Sequence, residues 1–181
     1  MTDKPKADGK ALIVVDMQVD NVGRFFQEII PDIRMLIDRA RERKIPVFFA
    51  LDSRYPDDFL FTRMGLPRSC IRGTAGVKVI EELGPLPTDY YVEKRMLSAF
   101  FGSDLDFTLR LMGVGRLIIV GVATMGCVFK TAMDAVEMGY EVEVVGDCCS
   151  AHPPEFHELG LRYLELFRLL RPGVKEVIED L

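Results

Sequence analysis

The sequence has no tryptophan, two histidines, one asparagine and two glutamines among its 181 residues. The histidines, His152 and His157, both lie near the last predicted helix. There is no CxxC pair, so neither a thioredoxin-like redox motif nor a cysteine zinc site is written into the chain. Basic residues are not in excess: 23 Lys and Arg stand against 28 Asp and Glu, a net charge of −5. That argues against nucleic acid or an anionic membrane as a partner. No apolar run approaches the ~20 residues needed to span a bilayer. Residues 1–10 are polar and lack the apolar core of a secretory signal, and are expected to form a flexible tail. No internal repeat or low-complexity segment is present. The scarcity of amides (Asn21, Gln18 and Gln27) is a pattern of heat-adapted chains, because amides are thermolabile.

What is present reads as one domain, residues 1–181, large enough for a sizeable core without disulfides. The four cysteines are therefore expected to be reduced thiols in a cytoplasmic protein, with Cys148 and Cys149 inert, buried and too close in sequence to pair easily. Short apolar runs at 11–16, 46–51, 90–93, 116–123 and 140–145 read as strands. Between them, apolar residues recur at helical spacing. Phe25, Ile29, Ile33, Leu36, Ile37 and Ala40 form one such stripe, with Pro31 starting its main helix. Leu105, Leu109 and Met112 form a short helix closed by Gly113. Val128, Ala132, Ala135 and Val136 form another, ended by Gly139. A helix from about Pro154 is expected to turn Phe156, Leu159, Tyr163, Leu164 and Phe167 inward, and the tail 174–181 fits either strand or helix. Alternating strands and helices imply βαβ units and a parallel sheet covered on both faces. Ser53 to Val77 is irregular and long, which marks a functional loop.

Ligands of such folds bind outside the carboxyl ends of the strands. Asp16, Asp52, Lys94 and Cys127 all fall there. Cys127 follows the run 116–123 and precedes a helix, where unpaired N–H groups and a positive helix end favour thiolate. A thiol, a carboxylate and an ammonium, each at a strand end, suggest covalent catalysis, with Cys127 as nucleophile and Asp16 as the base that takes its proton.

Four stretches carry a family resemblance: Ala11 to Gln18 with its Val15-Asp16-Met17-Gln18, Cys70 to Gly76, Lys94 to Phe100 with Gly102 to Leu105, and Gly121 to Val128 leading to Asp134 and Asp147. Together they span about residues 11 to 160. The chain resembles the isochorismatase-like cysteine hydrolases, which include nicotinamidases, N-carbamoylsarcosine amidases and ureidoacrylate amidases. The resemblance implies a three-layer α/β/α sandwich around a six-stranded parallel sheet in the order 3-2-1-4-5-6. It implies a catalytic set of Cys127, Asp16 and Lys94, the lysine holding Asp16 ionised and favouring thiolate. It implies a cis peptide at Val122–Ala123 and an oxyanion hole from the Ala123 and Cys127 N–H groups. Thr124 is expected at the substrate. Arg54 heads a set with Arg63, Arg68 and Arg72 suited to a substrate carboxylate. Phe100, with Phe101, Phe59 and Phe61, is expected to wall the pocket.

Nicotinamidases bind a divalent ion through an Asp and two histidines after the second strand. Residues 52–58 here hold Asp52, Asp57 and Asp58 but no histidine, so no metal or other cofactor is expected. The reading is a metal-independent amidohydrolase of small linear amide or ureido compounds, nearest N-carbamoylsarcosine amidase, acting as a homo-oligomer (dimer or tetramer). Rival readings are nicotinamidase, an isochorismatase-type vinyl-ether hydrolase, which would not need the thiol, and a non-catalytic redox-sensing thiol protein.

Overall fold

The computed structural model describes residues 9–23, 25–171 and 173–181. The expected flexible tail lies outside the described residues over positions 1–8, and Lys10 already belongs to the first strand. Six strands form one parallel sheet in the order β3-β2-β1-β4-β5-β6. They are β1 (Lys10–Val15), β2 (Val47–Asp52), β3 (Tyr90–Lys94), β4 (Arg116–Val122), β5 (Glu141–Ser150) and β6 (Leu170–Arg171). The helices are α1 (Val19–Val22), α2 (Ile30–Glu42), α3 (Phe59–Thr62), α4 (Leu105–Leu111), α5 (Phe129–Glu137), α6 (Pro154–Leu166) and α7 (Val174–Asp180). The order and the layers are those implied by the resemblance.

The period of two along each strand builds two cores. Leu12 and Val14 of β1, Val47, Phe49 and Leu51 of β2, and Ile118 and Val120 of β4 face α2 and α7. Ala11, Ile13 and Val15, Phe48 and Ala50, and Leu117 and Ile119 face α4, α5 and α6. Burying both sides of each central strand is what requires their near-continuous apolar runs. Pro31 sits in the first turn of α2, where its missing N–H costs nothing.

Two local expectations change, the end of the fifth strand and the facing of α6. The fifth strand runs to Ser150 rather than ending at Gly146, because pairing with β4 shifts register after Ile119 and resumes at Gly121↔Cys149 and Val122↔Ser150. Gly121, at φ 114°, makes this possible: a Cβ there would lie 2.1 Å from the Val15 carbonyl oxygen. The sixth strand, only two residues long, is set by pairing with Val144 and Val145 and has no periodicity of its own to announce it. In α6 the buried residues are Gly160 and Leu164, whereas Phe156, Leu159, Tyr163 and Phe167 face outward. Close packing of Gly160 against Thr124 and Met125 sets this rotation, since a Cβ there would stand 2.9 Å from the Met125 nitrogen. The ambiguous tail is helical as α7 and buries Val174 and Val177.

Candidate active site

Three strand ends converge. Asp16 follows β1 with a positive φ of 53°, which swings its carboxylate off the strand path. Lys94 is the last residue of β3, and β2 lies between them, ending at Asp52. Cys127 sits in the turn Thr124–Val128, kinked at Gly126, that joins β4 to α5. The amides of Gly126 and Val128 both donate to the Ala123 carbonyl, at 2.9 and 3.3 Å, and pull this turn tight. The Val122–Ala123 peptide is cis, as the resemblance implies.

Lys94 is the hub. Its Nζ lies 2.8 Å from Asp16 Oδ2, 2.8 Å from Asp52 Oδ1 and 3.3 Å from Cys127 Sγ, and it donates to the Met96 carbonyl at 3.3 Å. Its side chain is fully buried. A buried ammonium persists only with partners of this kind. The structure therefore brings together the three residues expected to act, and adds Asp52.

Burial and neighbouring charges shift all three groups. Burial pushes the Asp16 carboxyl up, with Asp52 adding to the effect and Lys94 and the Cys127 hydrogen bond opposing it; the result is about 6. Burial disfavours the Lys94 charge, but Asp16, Cys127 and Asp52 together hold it above the usual lysine range. Burial, then Asp16, drive the Cys127 thiol well above its ordinary value, against the pull of Lys94. These directions run against the thiolate that the strand-to-helix turn alone favours. Desolvation and the two carboxylates raise the thiol, and the lysine opposes them.

Sequence reasoning missed two residues. Gln18, fully buried, donates from Nε2 to the carbonyls of Asp52 and Val77, each at 2.8 Å, and accepts from the Asp52 amide at 2.8 Å. The Asp52 amide also donates to Asp16 Oδ1 at 3.1 Å. Gln18 thereby ties the end of β2 to the segment after Asp16. Its position two residues past a strand-end acid, in a chain with two glutamines, was the available signal. His157 of α6 lies with Nδ1 2.8 Å from Thr124 Oγ1. Burial lowers its pKa, favouring neutral imidazole.

The expected substrate contacts fare differently. Thr124 is fully buried and its hydroxyl is engaged by His157. Arg54 is buried, with one terminal nitrogen 2.9 Å from Asp52 Oδ2 and the other 3.0 Å from the Arg95 carbonyl. Phe100 is 6% exposed and its ring lies 5.8 Å from that of Tyr140, in the same buried cluster as Cys127. Arg72 instead binds Ser53 Oγ and the Tyr55 hydroxyl at 2.8 and 3.0 Å and pairs with Glu93. A cavity of about 450 Å³ opens on the other side of His157, lined also by Phe25, Glu28, Ser150 and His152.

The donors for a divalent ion do not fit. Asp52 is the acid the resemblance would use, and its two oxygens are held by Lys94 and Arg54. Asp58 caps α3 through the Leu60 amide and pairs with Arg95. Among the described residues no cluster of three or more His, Cys, Asp or Glu side chains is arranged to hold a metal.

A parallel α/β sandwich with a buried Cys–Asp–Lys centre at its strand ends defines the class. The chain belongs to the isochorismatase family: the isochorismatase domain model matches residues 10–172. It is 32% identical, over 94% of this chain and 95% of the relative, to a "probable inactive nicotinamidase" of Arabidopsis thaliana. It is 31% identical, over 87% and 76%, to the ureidoacrylate amidohydrolase RutB of Stutzerimonas stutzeri strain A1501. Among solved structures it matches N-carbamoylsarcosine amidase from Thermoplasma acidophilum with a TM-score of 0.78 and 31% identity, over 90% and 95% of the two chains. No helix among the described residues is long and apolar enough to cross a membrane.

Proposed function

We propose that this chain is a metal-independent cysteine amidohydrolase that cleaves the C–N bond of a small linear amide or N-carbamoyl (ureido) compound. The observation that carries the reading is Lys94 Nζ in simultaneous contact with Asp16, Asp52 and Cys127. Relatives named for ureidoacrylate and N-carbamoylsarcosine hydrolysis support the substrate class.

Asp16 takes the Cys127 proton as sulfur attacks the carbonyl carbon. A carboxylate near 6 suits that task at neutral pH. Lys94, already charged at 3.3 Å, stabilises the sulfur as it becomes anionic. The oxyanion of the tetrahedral intermediate rests on the Ala123 and Cys127 N–H groups. Loss of one such donor typically costs ~3–4 kcal/mol of transition-state stabilisation. Asp16 then protonates the departing nitrogen, which leaves as ammonia or amine. Water, deprotonated by Asp16, attacks the thioester, the C–S bond breaks, and the acid and the free thiol are released. Thr124 lies in the turn that would carry the oxyanion hole, so it acts on substrate through that turn. Arg54 acts as counter-ion to Asp52. The enzyme works as a homo-oligomer in the cytoplasm. A redox sensor requires an accessible low-pKa thiol, and Cys127 is buried with its pKa raised.

Ammonia release from a panel of N-carbamoylsarcosine, other N-carbamoyl amino acids, ureidoacrylate-type compounds and nicotinamide, with and without EDTA, tests the reading. EDTA-insensitive release from a carbamoyl or ureido compound is expected. Release from nicotinamide alone, lost with EDTA, would overturn it in favour of a metal-dependent nicotinamidase.

A further inference from the structure

The turn that carries Cys127 is held from two sides. Within it, the Gly126 and Val128 amides close on the Ala123 carbonyl. From outside, α6 supports it through two residues, His157 and Gly160. They stand about one helical turn apart and so share a face. Gly160 brings the helix backbone against Thr124 Cγ2 and the Met125 nitrogen, where even a Cβ would crowd both at 2.9 Å. His157 Nδ1 lies 2.8 Å from Thr124 Oγ1. Thr124 is fully buried. His157 is only part-buried, and it lines the cavity of about 450 Å³ together with Glu28, Ser150 and His152.

Thr124 lies directly after Ala123 and shares its turn with Cys127, so it stands between the two amides assigned to the oxyanion. A buried hydroxyl left without a partner costs about 1–3 kcal/mol. The turn therefore adopts a geometry that pairs Thr124 Oγ1, and the His157 ring defines where that partner is. Threonine is β-branched and stiff at χ1. With Oγ1 held by His157 and Cγ2 against Gly160, its side chain has one orientation, and the backbone that bears it is fixed with it. Burial lowers the His157 pKa, while Glu158 and Glu28 pull it the other way. The neutral ring is favoured, so what it supplies to Thr124 is a hydrogen bond and not a charge.

We propose that His157 is a positioning residue: by holding the Thr124 hydroxyl it fixes the direction of the Ala123 and Cys127 N–H groups toward the oxyanion. Its kinetic consequence rests on the amidohydrolase reading; its effect on the shape of the turn does not.

Steady-state kinetics on the full chain, with a carbamoyl or ureido substrate and well below the thermal midpoint, tests this. His157→Ala is expected to lower kcat about ten- to a hundredfold with KM little changed, the scale of a small misplacement of catalytic groups. His157→Asn should recover most of kcat, because its amide stands as many bonds from Cα as Nδ1 does. His157→Gln, one carbon longer, should not. Thr124→Val keeps the shape without the hydroxyl and should reproduce the loss. Combined with His157→Ala it should be no worse than either change alone, since both remove one contact. Should His157→Ala fail to fold, the comparison of His157→Asn with His157→Gln carries the test. A purely structural contact would lower the thermal midpoint and leave kcat of the folded protein unchanged. That result would overturn the proposal, as would an Asn variant no better than Gln. If wild type hydrolyses nothing in the panel, the amidohydrolase reading fails separately, and the turn is read without substrate. Site-resolved alkylation of Cys127 by iodoacetamide should then be about threefold faster or more in His157→Ala, because a loosened turn exposes the sulfur, and should return toward wild type in His157→Asn. An unchanged alkylation rate would overturn the proposal in that case.

Discussion

Arg54 donates to Asp52 Oδ2 across 2.9 Å while Lys94 holds the other oxygen, so the acid at the end of β2 is enclosed between two cations. This arrangement makes a divalent ion redundant as a source of positive charge. Arg54→Ala removes one buried cation and leaves the carboxylate under-compensated. Breaking a buried pair in this way costs about 3–5 kcal/mol. The expected outcome is a fall in thermal midpoint that Arg54→Lys partly recovers. Elemental analysis of the wild-type protein should find no stoichiometric zinc, manganese or iron.

Asp16 titrates at about 6 rather than 3.8 in the folded protein. As a base it must be ionised, so kcat/KM should fall about tenfold per pH unit below 6 and be flat above it. Asp16→Asn should abolish the activity and with it this limb. The same shift has a stability sign. Between 3.8 and about 6 the folded state binds more protons than the unfolded state, so the Asp16 contribution to stability declines as pH rises through that window. Urea unfolding of wild type and Asp16→Asn across that range checks it.

A raised thiol pKa at Cys127 predicts slow alkylation. Iodoacetamide should modify the folded protein at neutral pH far more slowly than an unfolded chain, with a rate that keeps rising through alkaline pH. Rapid alkylation at pH 7 would mean that the thiolate is already formed.

Cys127→Ala, Asp16→Asn and Lys94→Ala should each abolish turnover, and the triple variant should be little worse than the singles, because the three act as a unit. Lys94→Ala should also lower stability, since it leaves Asp16 and Asp52 as buried carboxylates without their shared cation. Single- and triple-variant kinetics with unfolding curves separate the two effects.

Gly160→Ala should disturb the catalytic turn from a distance. Its Cβ would stand 2.9 Å from both the Met125 nitrogen and Thr124 Cγ2. Overpacking of this kind costs about 1–3 kcal/mol. If the turn shifts, kcat falls while KM holds; an unchanged kcat would show that the turn tolerates displacement.

Much of this protein was legible along the chain. The continuous apolar runs Ala11–Val15 and Leu117–Val120, and the helical stripe Ile33, Leu36, Ile37 and Ala40, are local patterns, so the layers and most element positions follow from the order of residues. Asp16 and Cys127 are also local signals, a polar residue ending an apolar run and a cysteine at a strand-to-helix turn. What tertiary structure alone decided is what depends on neighbours far away in sequence. Lysines are ordinarily exposed, and only three strand ends meeting around it make Lys94 a buried hub. Burial and Asp16 push the Cys127 thiol up against the pull of the lysine, a balance of desolvation and charge that no spacing encodes. Arg54 and Thr124 satisfy Asp52 and His157 because those groups lie within reach. The outward turn of Phe156, Leu159 and Tyr163 follows from a single contact: a glycine lets α6 approach the Cys127 turn, and the helix must rotate to place it there.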